Sequence, residues 1–166
     1  MSVSLYGSGN TVIQVVSTTL TSTFSWTTKG AWTNITGLSA SITPQSTTSK
    51  ILIMVQLSTG DGGNNYQRGY TVARNGTQLN LSTANGGSGL PGSVASSIGN
   101  LNNDMLITIP YTYLDSPSTT SSVTYQVQGY ASTSSVTTSY INQTYNGSSN
   151  DNIGSSTITL LEISGS

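Results

Sequence analysis

The chain offers few side chains that could carry out chemistry. It contains no histidine and no cysteine, so the common Ser-His and Cys-His pairs of nucleophile and base cannot be built. A Ser-Lys dyad would need Lys29 or Lys50, and neither lysine has a serine three residues before it. The five acidic residues are spread along the chain, whereas glycoside hydrolysis needs two carboxylates that face one bond. We therefore expect a protein that is not an enzyme.

The acidic residues have structural interpretations instead. Asp115 lies in a Leu-Asp-Ser-Pro sequence and is expected to start a turn by bonding its own backbone. Glu162 alternates with apolar residues, which predicts a solvent-facing side chain or one paired with a basic residue. The stretch 61–65 (Asp-Gly-Gly-Asn-Asn) offers oxygen ligands for calcium, but it lacks the acid count and closing glutamate of an EF-hand loop. We expect a plain turn there, no metal site and no cofactor.

Aromatic residues are the best candidates for binding. The chain has nine tyrosines and two tryptophans, and these residue types often anchor interfaces. Because most of the tyrosines stand at strand periodicity, a place in the sheet core or in a subunit interface is favoured over a carbohydrate-binding face. The candidate binding or interface residues are Tyr111, Tyr113, Tyr125, Tyr130 and Tyr140.

Charge excludes several classes of partner. Four basic and five acidic residues give a net charge of −1, which provides no basic field for nucleic acid and no cationic face for an anionic membrane. The longest apolar run, Ile51–Val55, is far too short to span a bilayer. The first six residues have neither the basic nor the apolar region of a secretion signal. We expect no nucleic-acid partner and no membrane partner.

The elements that position these residues are predicted to be strands. Serine and threonine make up about a third of the chain, and valine, isoleucine and tyrosine are plentiful, which favours β-structure. Asn75-Gly76 between two alternating runs predicts a two-residue type I′ hairpin, and Lys29-Gly30 predicts another turn. Pro110 indicates a bulge or an edge strand. The other predicted strand regions are Thr11–Val16, Phe24–Ile35, Leu38–Ile42, Met105–Leu114, Ser122–Gln128, Val136–Ile141 and Thr157–Ile163.

This spacing predicts an all-β antiparallel jelly-roll sandwich of eight or nine strands. Ile51–Val55 is apolar at every position, which predicts a central strand covered on both faces. Residues 82–104 are rich in Gly, Ser and Asn, and a loop of this length is usually functional. We expect residues 1–10 to be a polar anchoring segment and residues 11–166 to form one domain.

Seven segments resemble a family of bacteriophage virion proteins that are usually called tail-fibre or structural proteins. They occur in the expected order over most of the chain, and Ser49–Val55 is the most specific of them. The segments are Val12–Thr19, Trp32–Ser39, Ile42–Ser46, Ser49–Val55, Tyr113–Pro117, Val123–Val127 and Thr157–Ile163.

The resemblance implies a jelly-roll module like the heads of the tumour-necrosis-factor and complement families, which usually form trimers. The favoured hypothesis is a homotrimer on the virion surface that decorates the capsid or forms a short head fibre, bound to the major capsid or tail protein. The alternative is a tail-fibre receptor-binding knob that contacts host surface glycan through the 82–103 loop and exposed tyrosines. A bacterial carbohydrate-binding module is a third, more distant possibility.

Overall fold

The chain forms a sandwich of β-strands. The computed structural model describes residues 11–60, 68–82, 94–96, 105–132, 138–144 and 152–165. Those residues contain strands and turns but no helix. The strands are β1 Val12–Leu20, β2 Phe24–Trp26, β3 Trp32–Ile42, β4 Lys50–Gly60, β5 Arg68–Arg74, β6 Thr77–Gln78, β7 Val94–Ser96, β8 Leu106–Asp115, β9 Val123–Ala131, β10 Ser139–Ile141 and β11 Ser156–Ile163.

The strands make two antiparallel sheets. In sheet I, β4 pairs with β8 along one side and with both β11 and β10 along the other. The sheet continues from β11 to β1 and from β10 to β2. In sheet II the order is β3-β9-β5, and β6 and β7 both pair with β5. The long strands are thus nested pairs: β1 with β11, β3 with β9, and β4 with β8. This is the rolled-up hairpin of a jelly-roll-like sandwich.

The predicted fold class is confirmed. Seven strands have seven or more residues, and four have only two or three, which brings the described strands to eleven where eight or nine were predicted. Three of the short strands, β2, β6 and β10, lie within predicted strand regions, whereas β7 escaped prediction because three residues carry too little alternation to be recognised.

The turn chemistry predicted from glycine and asparagine is also confirmed. Asn75 and Gly76 have φ of 47° and 88° and join β5 to β6, as a type I′ turn requires. Gly30 has φ of 65°, and its N–H donates to the carbonyl of Ala131 at 2.9 Å. Local backbone preference therefore fixes these two reversals.

Pro110 lies on an edge strand. Its strand, β8, pairs with β4 alone among the described strands, and the register runs unbroken through Gln56 and Pro110. The edge position was one of the two predicted for it, and the continuous register excludes a bulge at this residue. An edge strand tolerates the missing N–H, and proline makes that edge a poor template for another strand.

The core lies between the two sheets. Within β4, Ile51, Ile53 and Val55 face inward and are at most 6% exposed. Trp26 also lies in this core, and its ring packs directly over the backbone of Gly129 on β9. Other buried apolar residues are Leu20, Ile35, Leu38, Ala40, Ile42, Leu57, Tyr70, Val72, Leu79, Ile109, Tyr111, Val123, Tyr125, Val127, Ile141, Ile158 and Leu160.

Asp115 has a different role from the predicted one. It is the last residue of β8, is 5% exposed, and accepts two hydrogen bonds from Arg74 Nη1 at 2.9 and 3.0 Å. The hydroxyl of Tyr125 donates to the same carboxylate at 2.7 Å. Arg74 and Tyr125 face each other in sheet II, so the carboxylate joins the two sheets instead of bonding its own backbone.

The prediction for Glu162 is wrong. Its side chain is fully buried on the inner face of β11, and Oε1 accepts a hydrogen bond from the backbone N–H of Gln45 at 2.7 Å. With the Gln14 amide turned so that its nitrogen faces the carboxylate, that amide donates to Oε2 at 3.1 Å. Among the described residues, neither a lysine nor an arginine forms a salt bridge with Glu162. Uncharged backbone and side-chain amides therefore supply the hydrogen bonds to this carboxyl group.

Several predictions concern residues outside the described ranges. These are the anchoring segment 1–10, the possible calcium loop 61–65 and most of the 82–104 loop. Within that loop, Val94–Ser96 forms β7, which was not predicted. The predicted strand Val136–Ile141 is described only from residue 138, and its last three residues form β10.

Gly129→Ala tests the contact with Trp26. A Cβ at this position would lie 2.7 Å from the indole Cζ2, so we expect a loss of about 1–3 kcal/mol in the free energy of unfolding, measured by urea denaturation. In a Trp26→Leu background the same Gly129→Ala change should cost less, because the smaller side chain leaves room for the methyl group. Equal losses in both backgrounds would contradict the packing explanation.

The buried hydroxyl of Tyr125 is expected to make the folded state less stable at alkaline pH. Burial first, and then the hydrogen bond to Asp115, raise the pKa of Tyr125 far above its ordinary value. The contribution of Tyr125 to the free energy of unfolding is therefore complete below about pH 10, where the tyrosine of the unfolded chain keeps its proton. As the pH rises further, this contribution declines by about 1.4 kcal/mol per pH unit. Tyr125→Phe should remove this part of the slope in unfolding measured between pH 9 and 11. An unchanged slope would contradict it.

Candidate functional site

The described residues contain no cluster typical of a catalytic or metal centre. In these ranges there is no group of three or more His, Cys, Asp or Glu side chains that could hold a metal ion. Two acidic side chains, Asp115 and Glu162, are committed to buried structural contacts. Over the same ranges, no helix long and apolar enough to cross a membrane is found.

The five candidate tyrosines do not form one surface. Tyr111 and Tyr125 lie in the core, 8% and 0% exposed, so neither can line a carbohydrate face. Tyr113 packs against the core, with its ring 6.4 Å from that of Tyr111. Tyr140 is half-buried on β10, and its carbonyl accepts from Thr59 Oγ1 at 2.8 Å. Tyr130 is half-buried on the outer face of sheet II.

The outer face of sheet I carries a continuous apolar row. Val15 pairs with Leu161, Leu161 pairs with Leu52, and Leu52 pairs with Leu114. Paired residues in antiparallel strands point to the same side of the sheet, so these four side chains cross β1, β11, β4 and β8 side by side. We call this line Val15–Leu161–Leu52–Leu114 the apolar row.

The apolar row is open to solvent. Val15 is 59% and Leu114 is 45% exposed, whereas Leu161 and Leu52 between them are half-buried. Met54, one row further along β4, is 46% exposed. The central strand predicted at Ile51–Val55 therefore exists, but within the described residues only its inward face is covered.

The rows beside it are polar but uncharged. Ser17, Thr159 and Thr112 flank Met54 in the next row, and the Ser17 and Thr159 hydroxyls are 2.9 Å apart. Each outward-facing residue of β4 from Lys50 to Gln56 forms a row with its paired residues on β11, β1 and β8. In these rows only Lys50, at the margin of the face, is charged. A shallow groove runs along the middle and is lined by Met54, Gln56, Thr108, Pro110, Thr112, Thr157, Thr159 and Leu161.

The outer face of sheet II has a different chemistry. At one end, Trp32 on β3 and Tyr130 on β9 are paired, half-buried, and meet edge to face with ring centroids 5.4 Å apart. Tyr130 also pairs with Gly69 on β5, which is buried. This end of the sheet therefore presents an aromatic pair.

Side-chain amides continue from the aromatic pair. Gln78 Nε2 donates to Gln128 Oε1 at 2.8 Å, and Gln128 Nε2 donates to Asn34 Oδ1 at 2.7 Å. Each amide nitrogen thus donates to the oxygen of the next amide, from Gln78 to Gln128 to Asn34. Asn34 is exposed and lies two positions from Trp32. Aromatic faces beside oriented amides can accommodate a ligand with both C–H and hydroxyl groups.

Sequence reasoning missed both surfaces for identifiable reasons. The apolar row depends on the register of four strands, which cannot be read from a single sequence. Trp32 was identified only as a strand residue, although its alternation with Asn34 places both on one face of β3. That alternation was the available signal for the second surface.

Comparison with known proteins gives a fold relationship and no family. No protein-family model and no curated protein matches the chain. Among solved structures, the VP2 subviral particle of infectious bursal disease virus is similar, with a TM-score of 0.52 and 16% identity over 93% of this chain. T=1 particles derived from the same virus give a TM-score of 0.49 and 14% identity over 93%.

The chain spans about a third of the length of those viral chains, 34% and 37% respectively. At this identity, the similarity to the subviral-particle protein supports a shared β-sandwich fold.

Proposed function

We propose that this chain is a non-enzymatic structural protein of a bacteriophage virion. In this proposal it forms a homotrimer on the virion surface that decorates the capsid or builds a short head fibre. The observation that carries the proposal is the open apolar row on sheet I. An apolar line that crosses four strands and includes side chains 45% and 59% exposed is a feature of surfaces that become covered by a partner.

The fold relationship supports the same context. VP2 of infectious bursal disease virus assembles into subviral particles, and its chain contains a sandwich similar to this one. A sandwich exposes two broad faces and leaves its loops free, so it can pack against neighbours without loss of its own core. This chain would use such a face in the same kind of setting.

The absence of catalysis is part of the proposal. It is supported by the structural use of Asp115 and Glu162, whose carboxylates are already bound by Arg74, Tyr125 and a backbone N–H.

Anchoring through residues 1–10 completes the proposal. Residue 11 pairs with the end of the last strand, since Ser164 N–H donates to the Thr11 carbonyl at 2.9 Å. Thr11 therefore lies at the end of sheet I that carries Val12, Ile163 and Lys50. Anchoring by the residues before Thr11 would bring this end of the sandwich to the capsid and leave the opposite end projecting outward.

The location on the particle tests the proposal directly. We expect a cryo-electron-microscopy map of the parent particle to contain this sandwich at threefold or quasi-threefold positions on the capsid, in hundreds of copies. Density confined to the tail, in a dozen copies or fewer, would contradict capsid decoration. Light scattering of the isolated chain should give about 52 kDa, three times its 17.2 kDa.

A receptor-binding knob is the second candidate, and a specific observation favours it. Trp32 and Tyr130 form a half-buried aromatic pair next to the oriented amides of Gln128 and Asn34. This combination suits a host surface glycan, since the aromatic faces can contact sugar C–H groups and the amides can bond hydroxyls.

Tryptophan fluorescence tests the second candidate. Trp26→Phe removes a buried indole whose Nε1–H has no hydrogen-bond partner among the described residues, and it leaves Trp32 as the only tryptophan. If the knob hypothesis is correct, purified host surface polysaccharide should change the Trp32 emission of this variant with saturation. Asn34→Ala should weaken binding about 10-fold, the effect of one lost hydrogen bond of about 1.4 kcal/mol. No change with any host polysaccharide would exclude recognition at this face.

A further inference from the structure

The open face of sheet I has the chemistry of a contact between identical chains. We propose that copies of this protein associate through this face, with the apolar row and Met54 at the centre of the contact. This inference rests on the proposed assembly function and identifies the surface that performs it. A second copy of the chain is the occupant.

Charge is the first argument for a second copy. From Lys50 to Gln56 and on the neighbouring strands, the face carries hydroxyl, amide and apolar side chains, with Lys50 only at its margin. An anionic membrane would require basic residues around the apolar area, and nucleic acid would require many more. The chain itself has a net charge of −1, so two copies repel each other little when they approach.

Shape is the second argument. The residues at the two edges of the apolar row, Val15 and Leu114, project into solvent, whereas Leu161 and Leu52 between them are half-buried. The shallow groove over β4 is open beside them. The face therefore presents both ridges and a hollow, and the exposed edge of one copy can enter the groove of another.

Size is the third argument. Four strands spaced about 4.8 Å apart and about seven residues long at about 3.3 Å each give a face of roughly 19 by 23 Å. Its projected area is about 440 Å², and the relief of the side chains makes the accessible area larger. A stable interface buries about 800 Å² on each partner, so this face can supply the larger part of one.

Single charge substitutions test the proposal. Met54→Glu and Leu114→Glu place a carboxylate on two different strands of the face, at positions 46% and 45% exposed, where the isolated fold tolerates it. We expect each to weaken self-association at least about 100-fold, because an unpaired charge would be buried in the contact. Sedimentation velocity over a range of concentrations measures the effect. Circular dichroism and thermal unfolding check that both variants remain folded.

Leu81→Glu is the matched control. Leu81 is also an exposed apolar residue, 39% accessible, but it follows β6 of sheet II. The same substitution there should leave self-association unchanged. Equal dissociation by all three variants, or by the control alone, would overturn the assignment of this face.

A single thiol provides an independent measurement. The chain has no cysteine, so Met54→Cys can carry one spin label per copy. Distances between labels should fall below about 25 Å in the assembly, since the faces of the three copies meet around the threefold axis and each face centre lies within about one sheet-to-sheet spacing of that axis, plus the label arms. Leu81→Cys should give longer distances. Labels at position 54 that lie farther apart than those at position 81 would overturn the proposal.

The outcomes also separate this inference from the proposed function. A wild-type chain that stays at 17.2 kDa at high micromolar concentration overturns both the second copy as occupant and the homotrimer. An assembly that survives Met54→Glu and Leu114→Glu overturns only the face. An assembly that dissociates in both variants, in a protein later located in the tail, supports the face and contradicts capsid decoration.

Discussion

The architecture depends on the two-sided pairing of β4. This strand is hydrogen-bonded to β8 along one side and to β11 and β10 along the other, so its register fixes the positions of three strands. Because side chains alternate across a strand, that register sends Ile51, Ile53 and Val55 inward and Leu52 and Met54 outward. A shift of one residue would exchange the two sets. The core and the open face are therefore two consequences of one pairing.

Polar groups inside the sandwich are held by a small number of well-defined contacts. Arg68 is 1% exposed, and its Nε donates to Ser139 Oγ at 2.7 Å. Asn142 is fully buried with φ of 61°, and its amide donates to the carbonyls of Leu20 and Ser22. Ser156 Oγ donates to the Asn142 oxygen at 2.6 Å. Together with Asp115 and Glu162, these contacts satisfy buried polar groups at both ends of a sandwich that has few charges to spare.

The sequence predicts what depends on local chemistry. Asn75-Gly76 specified its turn because both residues accept positive φ, and Pro110 indicated an edge because it lacks an N–H. Glu162 was misplaced although alternation already puts it on the same side of β11 as Ile158 and Leu160, the buried side. The error came from its charge, which favoured solvent, while the backbone donor at Gln45 that stabilises it is 117 residues away.

Long-range contacts explain the rest of the difference. The carboxylate of Asp115 meets Arg74 across 41 residues, and the apolar row gathers positions 15, 52, 114 and 161 from four strands. No local preference indicates which of the two apolar sides of Ile51–Val55 faces the second sheet. The face that the candidate function requires is therefore the part of the fold that one sequence predicts least.

The nesting of the strand pairs determines when the open face comes into existence during synthesis. β1 pairs only with β11 among the described strands, although β2 to β10 all lie between these two strands in the sequence. A nascent chain on the ribosome can bring β4 and β8 together, but β1 must wait until β11 has left the exit tunnel. The apolar row is then completed last, by the arrival of Val15 and Leu161. Nascent chains that have not yet released β11 lack the full face, so association through this face must follow the pairing of β1 with β11.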